Sequence, residues 1–301
     1  MTDNGLNTRR MQESGSINIK ISSIEEKWLG TLYEQCRSHF QSIHLPSHDH
    51  FHHFRVWFYA KELILTLSGS GVEFPYELIE EIIFAVFFHD VGMSVTLDEN
   101  HGKVSAGLFR DFISERSGQT EANQDEIYRA IVHHDLKNYE NVLFEEAFEK
   151  NNILSTVLNI SDDLDAFGYK GIYRYLEIYL LRNIQPDLLA NKVLPNLTRR
   201  FSNISFTLGK IASFVSIHQV RYQQTLDFFN DLRNSGYTQD GPLSGPAGLV
   251  KLIKEHVIDK NGSLNNLIES QEIVKNDEYI RNYLQHYKQE EDNFISLYPD
   301  L

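Results

Sequence analysis

The chain has 301 residues, of which 41% are hydrophobic, a composition typical of a globular protein with a sizeable core. Its formal net charge of −14 argues against general nucleic-acid binding, although a bound metal would still let a local site accept a small phosphorylated substrate. The single cysteine, Cys36, excludes an intramolecular disulfide and a cysteine-based zinc cluster. No apolar run approaches the roughly 18 residues of a membrane span. We therefore expect a cytoplasmic protein without membrane contact.

The predicted elements are almost all helices, because apolar residues recur with the helical period along most of the chain. Residues 1–20 are polar and aperiodic, which predicts a disordered or loosely attached tail. Ser23 and Glu26 form a capping-box pattern that predicts a helix over 23–43, and Ser47 predicts the cap of a second helix over 48–68. Pro75 suits the first turn of a third helix. The predicted helices continue over 75–91, 99–116, 122–135, 144–165, 170–183, 186–194, 205–234, 248–257 and 270–290.

A segment rich in Pro and Gly, TQDGPLSGPAG (238–248), interrupts this helical pattern and predicts a loop. We expect one helical domain over 21–236, followed by this loop and a C-terminal helical extension within 237–301. The aromatic residues of the extension suit either a homodimer seam or ordinary core packing. The fold class predicted from the whole pattern is all-α.

The segment FAVFFHDVG (84–92) places His89 and Asp90 directly after a buried-type apolar run. An isolated ionised carboxylate is costly to bury, so such a group is normally paired or bound to metal. In SHDHFHHFRVW (47–57), His48 and His52 stand one helical turn apart and share a face, whereas His50 and His53 are expected to be solvated. The structural alternative for His89 and Asp90 is a hydrogen-bonded His–Asp pair in the core. The alternative for residues 47–57 is a histidine-rich polar face.

Two further segments, AIVHHD (130–135) and LNISDDLDAFG (158–168), also place His or Asp beside apolar helical positions. Asp162 and Asp165 are three residues apart and share a face, with Asp163 turned away; a solvated acidic face is the alternative. Taken together, these segments offer nitrogen and oxygen donors from separate helices. Such donors suit one or two divalent ions of Mn, Fe, Ni, Co, Zn or Mg.

The order His52, His89–Asp90, Asp162 is the H…HD…D pattern of the HD superfamily, and residues 25–235 resemble its bacterial phosphohydrolases. The resemblance implies an HD-domain helical bundle whose metal is held by His52, His89, Asp90 and Asp162. NHGKVSAGLF (100–109) resembles a helix that offers His101 as a further ligand, and AIVHHD resembles one that offers His134 or, alternatively, His133.

The same resemblance implies hydrolysis of a phosphate ester or anhydride, of a nucleotide or cyclic nucleotide, by metal-activated water. Asp90 would bridge two metals, Asp165 would support the ligands, and His48 would protonate the leaving oxygen. Lys103, Lys137 and Arg174 are candidates to hold substrate phosphates, and a surface salt bridge is the alternative for each. The GYP signature of the cyclic-dinucleotide branch is absent, which argues against cyclic di-GMP as the substrate.

Two other functions fit the same residues. His101 and His134 complete the ligand set of HD-type diiron oxygenases that resemble myo-inositol oxygenase. A non-catalytic module that senses a nucleotide is the third candidate, although no ligand position is lost here.

Overall fold

The computed structural model describes residues 3–136, 141–238, 240–269 and 277–296, with side chains from residue 16 onward. Every regular element in these ranges is helical and none is a strand, so the predicted all-α fold is confirmed. The same ranges contain no helix with both the length and the apolar character needed to cross a bilayer. The α-helices of the described ranges are α1 (Asp3–Phe40), α2 (His50–Gly69), α3 (Tyr76–Phe88), α4 (His101–Ser114), α5 (Gln124–His133), α6 (Phe144–Ala147), α7 (Ile153–Asp165), α8 (Gly168–Leu181), α9 (Leu189–Thr207), α10 (Ala212–Ser235), α11 (Gly245–Leu252), α12 (Leu264–Glu269) and α13 (Glu278–Ser296).

The chain forms two compact units. The first comprises Met1–Ile43, His48–Leu164 and Asn203–Val215, and the second comprises His44–Ser47, Asp165–Ser202 and Ser216–Leu301. The boundaries of these two units differ from those of the predicted tail, helical domain and C-terminal extension. The predicted division of the chain into these three parts stays a prediction.

The core of the first unit is built around α3, which packs against α1, α2 and α5. The Phe84 ring lies 4.8 Å from Trp28 and 6.0 Å from Phe109, and the Phe88 ring lies 5.1 Å from Phe112, as distances between ring centroids. All five rings are buried, and burying a side chain of this size stabilises the fold by roughly 1.5–3 kcal/mol. The apolar face of α3 therefore carries the residues that follow it into the protein interior.

In the second unit, α8 packs against α13, and a carboxylate of α13 caps the start of α8. Glu290 accepts hydrogen bonds from the backbone N–H groups of Tyr169 at 3.2 Å and Lys170 at 2.9 Å, groups that have no partner inside the helix. Gly168 has a φ of +81°, and a Cβ there would lie 2.6 Å from Glu290 Oε1. Glycine is therefore needed at this turn for both its conformation and its small size.

The aromatic residues of the C-terminal helix are buried within this unit. Tyr283 and Tyr287 are 3% and 5% exposed, and Tyr283 donates a hydrogen bond to the Tyr169 carbonyl at 3.0 Å. These contacts are the core packing that was the alternative to a dimer seam. A homodimer stays a prediction.

The N-terminal helix begins earlier than the sequence pattern indicates. Helix α1 includes residues 16–20, which the pattern assigns to a tail. Ile17 is buried, and the Lys20 ammonium donates to the Phe74 carbonyl at 2.9 Å. Contacts with a distant segment, rather than local periodicity, hold this part of the chain.

The second helix begins later than predicted. Its N-cap is Asp49 rather than Ser47, because the Asp49 side chain accepts hydrogen bonds from the N–H groups of Phe51 and His52. The prediction that His48 lies inside this helix is therefore wrong, since His48 precedes the cap.

Candidate metal centre

Four buried side chains form a first group of donors. His52 lies in the first turn of α2, His89 and Asp90 follow α3 directly, and Asp162 lies near the end of α7. The Nε2 atoms of His52 and His89 are 3.2 Å apart, and each lies 3.5 Å from Asp90 Oδ2. Asp162 Oδ1 is 3.8 Å from His52 Nε2 and 3.7 Å from His89 Nε2. Four donors from three helices of the first unit thus face one point.

A second group of donors shares Asp90 with the first. Asp90 Oδ1 lies 3.3 Å from His101 Nε2 and 3.0 Å from His134 Nε2, and these two nitrogens are 3.4 Å apart. His101 opens α4, and His134 follows the last residue of α5. Because Oδ2 of Asp90 faces the first group and Oδ1 faces the second, one carboxylate connects the two groups.

Backbone carbonyls fix the orientation of three of these imidazole rings. The Nδ1 atoms of His89, His101 and His134 donate to the carbonyls of the residues three positions earlier, at 2.8, 2.8 and 2.7 Å. A carbonyl only accepts, so Nδ1 carries a proton and the neutral ring presents the lone pair of Nε2 to the donor group. This arrangement is the usual outer support of a metal-binding histidine.

A close approach of two backbones brings the two groups together. A Cβ at Gly92 would collide with the His101 carbonyl and would lie 2.8 Å from the Ser105 nitrogen. The Gly92 N–H donates to Ser105 Oγ at 2.7 Å, which joins the turn after Asp90 to α4. Glycine at this position therefore allows His101 to lie beside Asp90.

The donor spacing is close to that of a coordination sphere. With metal–ligand bonds of about 2.1 Å, neighbouring ligands lie about 3.0 Å apart in an octahedral site and about 3.4 Å apart in a tetrahedral one. The observed separations run from 3.0 Å, the octahedral value, to 3.8 Å, which is longer than the tetrahedral value. Within each group, one atom of every residue lies within 4.8 Å of the others. The residues fit a divalent ion with nitrogen and oxygen ligands, and either group could hold one.

The shared carboxylate and its histidine neighbours shift one another's pKa values. Burial acts to raise the pKa of Asp90, but the charge of His89 and hydrogen bonds from His101, His134 and His52 outweigh it and hold this pKa well below its usual range. Burial acts in the opposite sense on His101, but Asp135 and Asp90 raise its pKa to about 11. These shifts favour an ionised Asp90 beside a protonated His101, so binding of a metal by Nε2 of His101 would require loss of that proton.

The structure places the other predicted site residues as follows. His48 is buried, with its ring centroid 5.7 Å from that of His52. Lys103 is exposed on α4, two residues after His101. Asp165 and Arg174 belong to the second unit, where they form a buried ion pair of 3.1 Å. Lys137 lies outside the described residues.

Two ambiguities about the histidines are resolved by burial. Between the adjacent His133 and His134, it is His134 that is buried beside Asp90, whereas His133 is exposed. The expectation that His53 is solvated is wrong: it is fully buried, and its Nδ1 donates to the Val86 carbonyl at 3.1 Å. That carbonyl also accepts from His89, so His53 ties α2 to the turn of the first group.

Sequence reasoning also missed Asp135. Its carboxylate lies 3.1 Å from His101 Nε2 and 3.6 Å from His134 Nε2. An exposed residue after a pair of histidines has no apolar periodicity to mark it. Adjacency to a predicted ligand was the one available signal.

A cavity of about 1000 Å³ lies in the first unit, and none of the metal donors lines it. Apolar side chains such as Leu78, Phe144 and Phe148 share its walls with several glutamates, among them Glu77 and Glu81. Five glutamates in its lining outnumber the two lysines, Lys150 and Lys210, and carboxylates repel phosphate groups, so this cavity is poorly suited to a phosphorylated substrate.

No family model, curated protein or solved structure matches the chain. The donor groups are therefore defined by their own geometry and chemistry. They form a buried His/Asp cluster in an all-α protein, able to hold a divalent metal ion whose identity the donors leave open.

Proposed function

We propose that the chain is a metal-dependent phosphohydrolase of the HD type. One observation carries the proposal: the two oxygens of Asp90 face separate donor groups, with His52 and His89 on one side and His101 and His134 on the other. A carboxylate shared in this way suits a pair of metal ions held a few ångströms apart, an arrangement common in enzymes that hydrolyse phosphate esters. The sequence resemblance to HD phosphohydrolases points to the same class of reaction.

A divalent ion in these groups supplies Lewis acidity, which makes water a better nucleophile and draws electron density from a phosphoryl oxygen. The chain's own contribution is to hold the donors in place before metal arrives. Three imidazoles are locked to backbone carbonyls, and Asp90 is held between four histidines. His48, buried beside His52, is the proposed proton donor to the leaving oxygen.

The proposed substrate is a phosphate ester or anhydride of a nucleotide or cyclic nucleotide. The chain carries a net charge of −14, so attraction for a phosphate must come from the metals and from local cations. Lys103, Lys137 and Arg174 are the proposed phosphate contacts. Arg174 is already paired with Asp165. Its proposed role therefore requires that Arg174 contact the Asp165 carboxylate and the substrate phosphate together, or exchange the carboxylate for the phosphate.

The test combines elemental analysis of the purified chain with a hydrolysis screen. The screen covers nucleotides, cyclic nucleotides and bis(p-nitrophenyl) phosphate, each with added Mn²⁺. We expect up to two divalent ions per chain and hydrolysis, detected as p-nitrophenol, nucleoside monophosphate or phosphate according to the substrate, that is lost in Asp90→Ala. Asp125→Asn, which removes an exposed carboxylate at the start of α5, should retain both properties.

Three results would contradict the proposal in different ways. Two irons per chain with oxygen consumption and no hydrolysis product from any substrate would identify the diiron oxygenase instead. Tight nucleotide binding without turnover would identify a sensing module. A metal-loaded and active Asp90→Ala variant would show that the shared carboxylate is not part of the site.

A further inference from the structure

Asp135 lies beside the second donor group but outside the set of ligands considered so far. It belongs to the short 3-10 turn His134–Leu136, and its side chain is 56% exposed. Oδ2 lies 3.1 Å from His101 Nε2, and Oδ1 lies 3.6 Å from His134 Nε2. Each oxygen thus faces a different imidazole of the group.

The atoms that Asp135 faces distinguish two roles. A carboxylate that merely orients a metal-binding histidine contacts the nitrogen that does not bind the metal. In both His101 and His134 that nitrogen is Nδ1, which already donates to a backbone carbonyl. Asp135 faces Nε2 in both rings, which is the side on which a metal would lie. Its separations of 3.1 and 3.6 Å from these nitrogens are comparable with those of 3.0 to 3.4 Å among the other donors of the second group.

The charges of the two groups support the same role. The first group contains two carboxylates, Asp90 and Asp162, which match the charge of a divalent ion. The second group has only the shared Asp90. Asp135 would give the second ion a carboxylate of its own, from the exposed side of a group whose other members are buried.

We propose that Asp135 is a fourth, exposed ligand of the second metal position, an inference that rests on the proposed two-metal function. Asp135 does not belong to the tightest set of donors, in which all atoms lie within 4.8 Å of one another. Its exposure lets this carboxylate exchange with solvent more readily than the buried donors. The second metal is therefore held less tightly than the first.

The experiment is a titration of the metal-free full chain with Mn²⁺, in which free Mn²⁺ is followed by electron paramagnetic resonance. We expect wild type to bind two equivalents. Asp135→Asn should weaken the second equivalent at least about tenfold and change the first by less than about twofold. Asp135→Glu should restore most of the second affinity. Asp125→Asn is the matched control, because it makes the same chemical change at the other end of α5, and it should bind as wild type does.

The outcomes separate this inference from the proposed function. Two equivalents bound alike by wild type and by Asp135→Asn would overturn the role of Asp135 and leave the phosphohydrolase proposal standing. One equivalent in wild type would overturn the inference too, since no second position would exist. No binding at all would overturn both. Asp135→Ala is a second variant with the same expected loss, and circular dichroism checks that each variant is folded.

Discussion

Replacing Asp90 with Asn removes one negative charge while preserving the shape of the side chain. Asp90 is 6% exposed, and its oxygens lie 3.0 to 3.5 Å from four imidazole nitrogens. The first donor group would lose one of two carboxylates, and the second would lose the one that it shares. Loss of an outer partner alone costs roughly 10–100-fold in metal affinity, so we expect the first equivalent to weaken at least about 100-fold, or about 2.8 kcal/mol. The second equivalent should become undetectable.

Calorimetric titration with Mn²⁺ measures both equivalents, and comparison with Asp162→Asn isolates the effect of sharing. Asp162 belongs to the first donor group and not to the second, so its variant should lose the first equivalent and retain the second. The far-ultraviolet circular dichroism of both variants should match that of wild type, because the helices do not depend on the metal. If Asp90→Asn bound two ions with nearly normal affinity, or if both variants lost the same single ion, the shared-carboxylate geometry would be refuted.

Three further predictions concern packing, pH and metal. Gly92→Ala should destabilise the protein by roughly 1–3 kcal/mol, because its Cβ would collide with the His101 carbonyl. Gly107→Ala in α4, the helix that begins at His101, has open space around the new Cβ and should not destabilise the protein; thermal unfolding compares the two variants. Burial and the nearby Arg221 lower the pKa of His218 from 6.5 to about 3. As the pH falls, this histidine is therefore protonated in the unfolded chain before it is protonated in the folded one. Between pH 8 and pH 5, wild type should lose about 2 kcal/mol more unfolding free energy than His218→Gln in urea titrations, and equal losses would contradict this. Mn²⁺ at 100 times the Kd of the first equivalent should raise the unfolding free energy by at least about 2.7 kcal/mol, and a chelator should reverse the gain.

Most helices were predictable from the sequence because their apolar faces recur with a regular period. Helix ends were less predictable where contacts distant in sequence or side-chain caps decide them. The predicted helix over 144–165 is divided in the structure into α6 and α7. Between them, the Asn152 side chain donates to the Glu146 carbonyl at 3.0 Å, a local hydrogen bond that competes with helix continuation.

His89, Asp90 and Asp162 of the candidate metal centre were predictable because they lie beside strongly apolar helical segments, whereas His101 was predicted from the family resemblance. The apolar run before His89 indicates a buried position, and a buried Asp90 needs a partner. His53 was misjudged because helix periodicity describes only the helix itself. What buries it is the neighbouring α3, whose Val86 carbonyl accepts its proton. Asp135 was missed since its position depends on where the 3-10 turn after α5 directs the chain.

The hydrogen bonds behind the donors indicate that a metal would not be needed to assemble this candidate site. The rings of His89, His101 and His134 are oriented by carbonyls three residues earlier in the chain, and those contacts form together with the helical turns. In the metal-free chain, Asp90 is stabilised by the surrounding histidines rather than left as an unpaired buried charge. Because the donors are already ordered, metal binding loses little conformational entropy, which favours high affinity. Removing the metal should therefore abolish activity and lower stability while the helices remain folded.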